Sequence, residues 1–355
     1  VEDYQVVYMS YGDFDGDGEF EVVFLDSTLG QSRLVLLDNY SSFKVIATFN
    51  ASVYSFAVGD LDGDGKGEVF VPSGRNIYIV EDGSISYVEA PVEILNIHPS
   101  VYDIDNDLGL DVIFVGSDGA LYRLNSSLTL EKLFDITILP NNPLAVGDVN
   151  MDRGADYVTL HYGSLYCIDS SGRVRFVFSK FNMSVYPYPI ISDLDADGFL
   201  DILLSNDSSI YVLSHVGDIK YSISVGSSIL DFVVVDLGAD WTQETIVAVD
   251  GKIIVFDAIT GDRLYEISSD YILGDASISV GDFDSDGKAE LVVFSAGVVS
   301  IEFDQPIRGF SVGNAINDLS NYNTMNYDRD GDRLTEYEEM VVYGTNPYLK
   351  DTDGD

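Results

Sequence analysis

The chain has 355 residues and a formal net charge of −42, from 60 Asp and Glu against 18 Lys and Arg. That imbalance argues against nucleic acid and anionic membrane surfaces as partners, because both would be repelled. Hydrophobic residues make up 46% of the chain, enough for a substantial core and too many for a disordered one.

An acidic loop opens at Asp13 and recurs at Asp60, Asp103, Asp148, Asp193, Asp236 and Asp282, at intervals of 43 to 47 residues. Short apolar segments surround each copy. The first loop is followed by Val22–Leu25. Phe56–Val58 leads into the second, with Val69–Val71, Ile77–Val80 and Ile85–Val88 behind it. Asp111–Val115 and Leu121–Leu124 follow the third. Leu144–Val146 precedes the fourth, and Tyr157–Leu160, Leu165–Ile168 and Val174–Phe178 follow it. The fifth is trailed by Ile202–Leu204, Ile210–Leu213 and Ile219–Ile223. Phe232–Val235 precedes the sixth, and Ile246–Val249, Ile253–Phe256 and Leu264–Ile267 come after it. Ile278–Val280, Leu291–Phe294 and Val298–Ile301 bracket the seventh.

β-Branched and aromatic residues dominate these segments, and no helical period persists before residue 330. The interval suits four strands and their turns. The predicted fold is therefore all-β: a seven-bladed β-propeller of four-stranded blades, 28 strands over residues 1–313. The first three strands of each blade are apolar, as expected between neighbouring blades. The more polar fourth suits an outer edge. Two closures of the ring stay open: Val1–Tyr4 joins the last blade, or residues 306–313 complete it alone.

The first loop reads Asp13-Phe-Asp15-Gly-Asp17-Gly-Glu19-Phe-Glu21. Side chains at positions 1, 3 and 5 can converge as the backbone curls, and Gly at position 6 permits the turn. Position 7 (Glu19) offers its backbone carbonyl and the acid at position 9 closes the shell. Six or seven hard oxygens suit Ca²⁺ better than Mg²⁺ or a transition metal. The second loop matches fully, with Asp60, Asp62, Asp64, the Lys66 carbonyl and Glu68. So do the fifth (Asp193, Asp195, Asp197, Phe199, Asp201) and the seventh (Asp282, Asp284, Asp286, Lys288, Glu290). The third keeps Asp103, Asp105, Asp107, Gly109 and Asp111 but has Leu108 at the turn. The fourth has Asp148, Asn150, Asp152, Gly154 and Asp156, with Arg153 at the turn. Both are expected to bind more weakly. The sixth has Gly238 where its second ligand belongs and is expected to be empty. About six calcium ions are thus expected in the ring.

The phrase Val-Gly-Asp-x-Asp-x-Asp-Gly, at 58–65 and 280–287, resembles the FG-GAP or VCBS-type repeat of integrin α-subunit propellers and their prokaryotic relatives. The resemblance implies seven blades, with each calcium loop joining a blade's first two strands on one face. Phe-Gly and Gly-Ala-Pro signatures are absent, so the match is closer to the prokaryotic branch and integrin-type ligand recognition is not carried over.

After Gly313 the texture changes. Residues 314–327 read as a polar linker. Asp328, Asp330, Asp332, the Leu334 carbonyl and Glu339 match an EF-hand-like calcium loop, with a short helix over 335–343. The text Gly-Thr-Asn-Pro…Asp-Thr-Asp-Gly-Asp resembles thrombospondin type 3-like repeats of microbial surface proteins, which implies that 328–355 is a calcium-stiffened spacer. The chain is accordingly read as a mature or trimmed piece of a longer protein, since it also starts at Val1.

Other candidates are fewer. Asn39, Asn50, Asn125, Asn182 and Asn206 head Asn-x-Ser sequons in predicted turns, where either a glycan or an ordinary turn Asn fits. Cys167 reads as a buried strand residue and leaves no internal disulfide. No run of about 18 apolar residues exists, so no membrane helix is expected. His98, His161 and His215 fall on different blades, and no nucleophile elbow, zinc helix or phosphate loop appears. The expectation is a non-enzymatic extracellular or cell-surface module that binds protein or glycan, or assembles with itself. The alternative is a propeller enzyme acting on polysaccharide, such as a lyase, which needs a groove lined by Arg, Tyr and His.

Overall fold

The structure, a computed structural model, describes residues 6–313 apart from 17–20, 28–30, 39–41, 96–97, 106, 108, 137–143, 180–188, 196, 198, 239–241, 275, 284–285 and 296–297. The expected linker, EF-hand-like loop and spacer lie outside these residues, as do Asn39, Asn182 and Val1–Tyr4.

Blade one holds β1 (Val6–Gly12), β2 (Glu21–Asp26), β3 (Ser32–Asp38) and β4 (Ser42–Phe49). Blade two holds β5 (Ala57–Gly59), β6 (Glu68–Ser73), β7 (Asn76–Glu81) and β8 (Ser84–Glu89). Blade three follows with β9 (Ser100–Tyr102), β10 (Asp111–Val115), β11 (Ala120–Leu124) and β12 (Leu130–Asp135). Blade four has β13 (Ala145–Gly147), β14 (Asp156–His161), β15 (Ser164–Ile168) and β16 (Val174–Phe178). Blade five has β17 (Ile190–Ser192), β18 (Asp201–Ser205), β19 (Ser209–Leu213) and β20 (Ile219–Ser224). Blade six has β21 (Ile229–Leu237), β22 (Glu244–Val249), β23 (Lys252–Asp257) and β24 (Arg263–Ser268). Within each blade the strands pair antiparallel in sequence order.

The seventh blade departs from the expected pattern. It contains β25 (Ser277–Gly281), β26 (Lys288–Phe294) and the 16-residue β27 (Val298–Gly313). β27 pairs with β26 through Pro306 and then pairs with β21 of blade six, from Ile307 opposite Leu237 to Gly313 opposite Val233. Residues 307–313 therefore add an inner strand to blade six and do not complete blade seven. The described residues hold 27 strands, with blades six and seven fused into one seven-stranded sheet.

Side chains alternate across each strand, so one strand serves two interfaces. Val69 and Val71 of β6 pack against blade one, and Phe70 between them packs against blade three. Val247 and Val249 of β22 face blade five, whereas Ile246 and Ala248 face blade seven. Each fully buried side chain of this kind contributes about 1.5–3 kcal/mol. Seven hydrophobic clusters result, one per blade interface. The last joins Met9, Tyr11 and Phe24 of blade one to Phe283 and Val292 of blade seven, which closes the ring. Cys167 is buried in β15, as expected.

Outer strands are more exposed, and they meet the next blade at a turn. Phe134 of β12 lies over Gly172, Phe176 of β16 over Gly217, and Ile223 of β20 over Gly261. All three glycines have positive φ, where a side chain is strained. A methyl at Gly217 would stand 2.5 Å from the Phe176 ring, whereas one at Gly251, also at positive φ, meets nothing within 4 Å. Gly217→Ala is therefore expected to cost about 2–4 kcal/mol, and Gly251→Ala about 1 kcal/mol. Chemical denaturation of the two variants checks the difference, and equal losses would refute the packing contribution.

Candidate metal loops on one face of the ring

Seven acidic loops join the first and second strands of their blades, so all open on the same face. Their register is uniform. The residue before each loop pairs with the acid at position 9: Gly12 with Glu21, Gly59 with Glu68, Tyr102 with Asp111 and Gly147 with Asp156. The same holds for Ser192 with Asp201, Val235 with Glu244 and Gly281 with Glu290. Position 9 is thus the first residue of the second strand in blades one to six and the third in blade seven, and the acid there is buried in all seven blades.

The residue at position 2 anchors the loop. Leu61, Val149, Leu194, Leu237 and Phe283 are buried between blades. The backbone N–H there donates to the position 9 carboxylate, at 2.7 Å from Leu61 to Glu68 and 2.9 Å from Phe283 to Glu290. Phe14 to Glu21 (3.0 Å), Ile104 to Asp111 (3.3 Å) and Leu237 to Glu244 (2.8 Å) repeat it. This anchor was not read from the sequence. Its signal, an apolar residue directly after the first acid of every loop, is visible there.

The first acid nucleates the curl. Asp60 accepts from the N–H groups of Gly63 (2.8 Å), Asp64 (3.1 Å) and Gly65 (2.9 Å). Asp148 accepts from Asp152 (3.0 Å) and Arg153 (2.6 Å), and Asp282 from Gly287 (2.9 Å). Position 5 accepts from position 7: Asp64 from Lys66, Asp152 from Gly154, Asp197 from Phe199 and Asp286 from Lys288, each at 2.9 Å. Asp107 receives Gly109 in the same way at 2.8 Å. The described residues of loops three and four therefore make the same kind of bonds as loop two, with Arg153 in place of the turn glycine in loop four; Leu108 lies outside the described residues. Arg153 stands at φ 67°, where Gly65 has φ 93° and Gly287 86°. A non-glycine residue there costs about 1–2 kcal/mol.

Carboxylate oxygens converge. In loop two, one ligand atom each from Asp60, Asp62, Asp64 and Glu68 lies within 4.8 Å of the others. Asp13, Asp15 and Glu21 converge likewise, as do Asp103, Asp105 and Asp111, and Asp193, Asp195 and Asp197. Glu68 is 3% exposed, and its Oε1 is buried without a hydrogen-bond partner. Asn150 Oδ1, in loop four, is another such atom. Hard oxygen donors with an orphaned buried carboxylate atom among them fit a calcium ion. Asp17, Glu19, Asp240 and Asp284 lie outside the described residues.

Among the described residues, a basic side chain is paired with the position 9 carboxylate in loops three, four and five. Arg123 of β11 reaches Asp105 (2.5 Å) and Asp111 (3.4 Å). Arg175 of β16 reaches Asp156 (2.6 Å). Lys220 of β20 reaches Asp195 (3.0 Å) and Asp201 (2.8 Å). The sixth loop has a different use for its odd glycine. The Gly238 N–H, at φ 128°, donates to the Pro306 carbonyl at 2.8 Å, where β27 crosses onto β21.

Other candidates disperse. His98 is buried and stacked on Tyr8, His215 is stacked on Phe199, and His161 meets Tyr162 and Tyr166. Asn125 and Asn206 cap their own turns, accepting from Thr129 (2.9 Å) and Ser209 (2.8 Å) respectively. Asn50 is exposed after β4. No helix among the described residues is long and apolar enough to cross a membrane.

A family model for the FG-GAP-like repeat matches residues 13–71, the first two loops and the blade between them. No curated protein sequence matches the chain. Among solved structures, BBS1N in complex with ARL6DN is 15% identical with a TM-score of 0.65, covering 85% of this chain and 92% of that one. The V. cholerae biofilm matrix protein Bap1 is 12% identical with a TM-score of 0.55, covering 93% of this chain and 82% of that one. At these identities the likeness is one of fold. It agrees with the repeat propeller built above.

Without a cation, burial pushes the Glu68 carboxyl up to about 8; Asp62 and Asp60 add to the rise, and the Leu61 N–H opposes it. Burial likewise raises Asp111 to about 6, and Asp156 and Asp201 to about 7, with Arg123, Arg175 and Lys220 opposing. A raised native value means the fold binds these protons more tightly than the unfolded chain does. That stabilisation is complete below the unfolded carboxyl range near pH 4.5 and is lost as pH rises through the native values. Melting temperature in chelator is therefore expected to fall between about pH 5 and pH 8. Glu68→Gln should flatten part of that fall. Thermal melts across this range check both, and a melting temperature rising with pH would contradict the assignment.

Proposed function

We propose that this propeller is a calcium-stabilised module of the cell surface or extracellular space that binds protein or glycan, or assembles with itself, and is not an enzyme. The observation that carries the calcium reading is loop two, where four acids converge around a buried carboxylate oxygen with no partner. Calcium would be held by the acids at positions 1, 3, 5 and 9 and the carbonyl at position 7. It would neutralise carboxylates whose burial is otherwise unfavourable. The EF-hand-like loop from Asp328 to Glu339 extends the same chemistry to a spacer. An extracellular setting supplies the millimolar calcium that such loops use.

The binding reading draws on the two faces of the ring. One carries the acidic loops. The connections on the opposite face carry Tyr54, Tyr162 and Tyr271, which are 54%, 85% and 63% exposed. Tyrosine offers apolar area with a polar tip at low entropic cost, which suits contact with protein or sugar. The similar propellers include one in complex with a protein and one from a biofilm matrix, in keeping with such a role. Dispersal of the three histidines onto separate aromatic partners weighs against the lyase alternative.

Each calcium site is expected to add about 2.7 kcal/mol at a hundredfold excess over its Kd. Melting in excess chelator should therefore occur well below melting in millimolar calcium, and Asp62→Asn should remove one bound ion by calorimetric titration. Identical melts in both conditions would exclude calcium. The binding face has its own test, retention on envelope protein or polysaccharide from the producing cells. Tyr162→Ser with Tyr271→Ser should lower retention at least tenfold without moving the calcium-loaded melting temperature. Release of unsaturated sugar ends from any polysaccharide would favour the lyase.

A further inference from the structure

The loops fall into two groups by what faces their carboxylates, and the division follows the ring. In blades three, four and five a basic side chain from the same blade reaches into the acidic loop. Lys220 stands 3.0 Å from Asp195, 3.9 Å from Asp197 and 2.8 Å from Asp201. Arg175 contacts Asp156, and Arg123 contacts Asp105 and Asp111. In blades two and seven the shortest pair of the nearby lysine is with an acid outside the loop, although Lys288 also lies 3.8 Å from Asp286 at position 5 of its own loop. Lys66 pairs with Asp82 at 2.9 Å and Lys288 with Glu302 at 2.7 Å.

A backbone irregularity aims two of the three. β15 and β16 change register between the pairs Cys167–Phe176 and Ile168–Val174, which leaves Arg175 as the extra residue of a bulge. β19 and β20 do the same between Val212–Tyr221 and Leu213–Ile219, leaving Lys220. A bulge re-aims the side chain it carries. In blades one, three and six the residue at the corresponding bulge is Ile46, Leu133 or Leu264, which carries no charge. Blade three instead draws Arg123 from β11, where Glu131 steadies its Nε at 3.0 Å.

We propose that Arg123, Arg175 and Lys220 are built-in counter-cations that occupy loops three, four and five in place of calcium, so that the ion must displace them to bind there. The proposal rests on the calcium reading above. It makes one arc of the ring, blades three to five, self-neutralised, and leaves blades two and seven dependent on the metal. Each side chain touches the buried position 9 carboxylate, which is also a prospective calcium ligand, so ammonium or guanidinium and metal compete for the same oxygens. Calcium occupancy should then be graded around the ring, with loop five, complete in its acids, filling later than loop two.

The test uses the whole chain. Lys220→Met keeps the aliphatic stem and removes the charge, and Lys252→Met, which loses an exposed pair with Glu266 on blade six, is the control. Calcium titration by calorimetry and thermal melts in chelator and in calcium are read for each. Expected for Lys220→Met is one site tightened at least tenfold, a lower melting temperature in chelator, and a larger rise on adding calcium than the wild type shows. Adding Asp195→Asn to it should restore the melting temperature in chelator and abolish the tightened site. A Lys220→Met isotherm identical to that of the wild type, while the wild type still responds to calcium, overturns the counter-cation proposal alone. Absence of any calcium response in every protein, the wild type included, overturns the calcium reading and this proposal with it.

Discussion

A carboxylate buried at the head of the second strand is the constraint around which each blade is organised. It appears in all seven blades at one register, opposite the residue that precedes the loop. Burying an acid is unfavourable unless its oxygens are partnered. One partner is local, the N–H of the second loop residue, whose side chain is in turn wedged between blades. That bond ties loop geometry to core packing. The remaining demand for positive charge is met differently from blade to blade, and that difference makes an otherwise repetitive ring electrostatically uneven.

Packing supplies the rigidity that makes this arrangement usable. Because strands alternate their side chains between two neighbours, no blade has a core of its own. Val69 and Phe70, adjacent in sequence, belong to different clusters. A blade removed from the ring would expose both faces, so the seven interfaces stand or fall together. The acidic loops lie at one end of these interfaces and inherit their positions from them. Blade six shows how a loop can be diverted from the common pattern. Its Gly238 bonds the crossing β27, and the strand that might have completed blade seven is spent bracing blade six.

Similar propellers at 12–16% identity share the fold with this chain and little else in sequence. The two faces of the ring then diverge in character, one acidic and one bearing exposed tyrosines. The two are separated by the length of the strands.

Much of this was legible in the sequence because it is local. The 43–47-residue recurrence counts the blades, and alternate acids followed by a turn glycine mark the loops. Both follow from the two-residue period of a strand and the short reach of a turn. Arg153 looked like a defect in loop four, yet that loop keeps the curl, because hydrogen bonds to Asp148 outweigh a strained φ. What the sequence left open depends on residues far apart in the chain. The course of β27 onto β21 pairs Ile307 with Leu237, and nothing near either residue announces it. The same is true of Arg123, Arg175 and Lys220. Nothing in the sequence next to them points to the loops, and the bulges and the sheet register bring two of them to the acids across the blade. Local pattern determined the number of blades and the acidic character of the loops. Tertiary structure decided which loops carry a cation of their own and how the last strand is bound, because both require contacts that chain proximity does not supply.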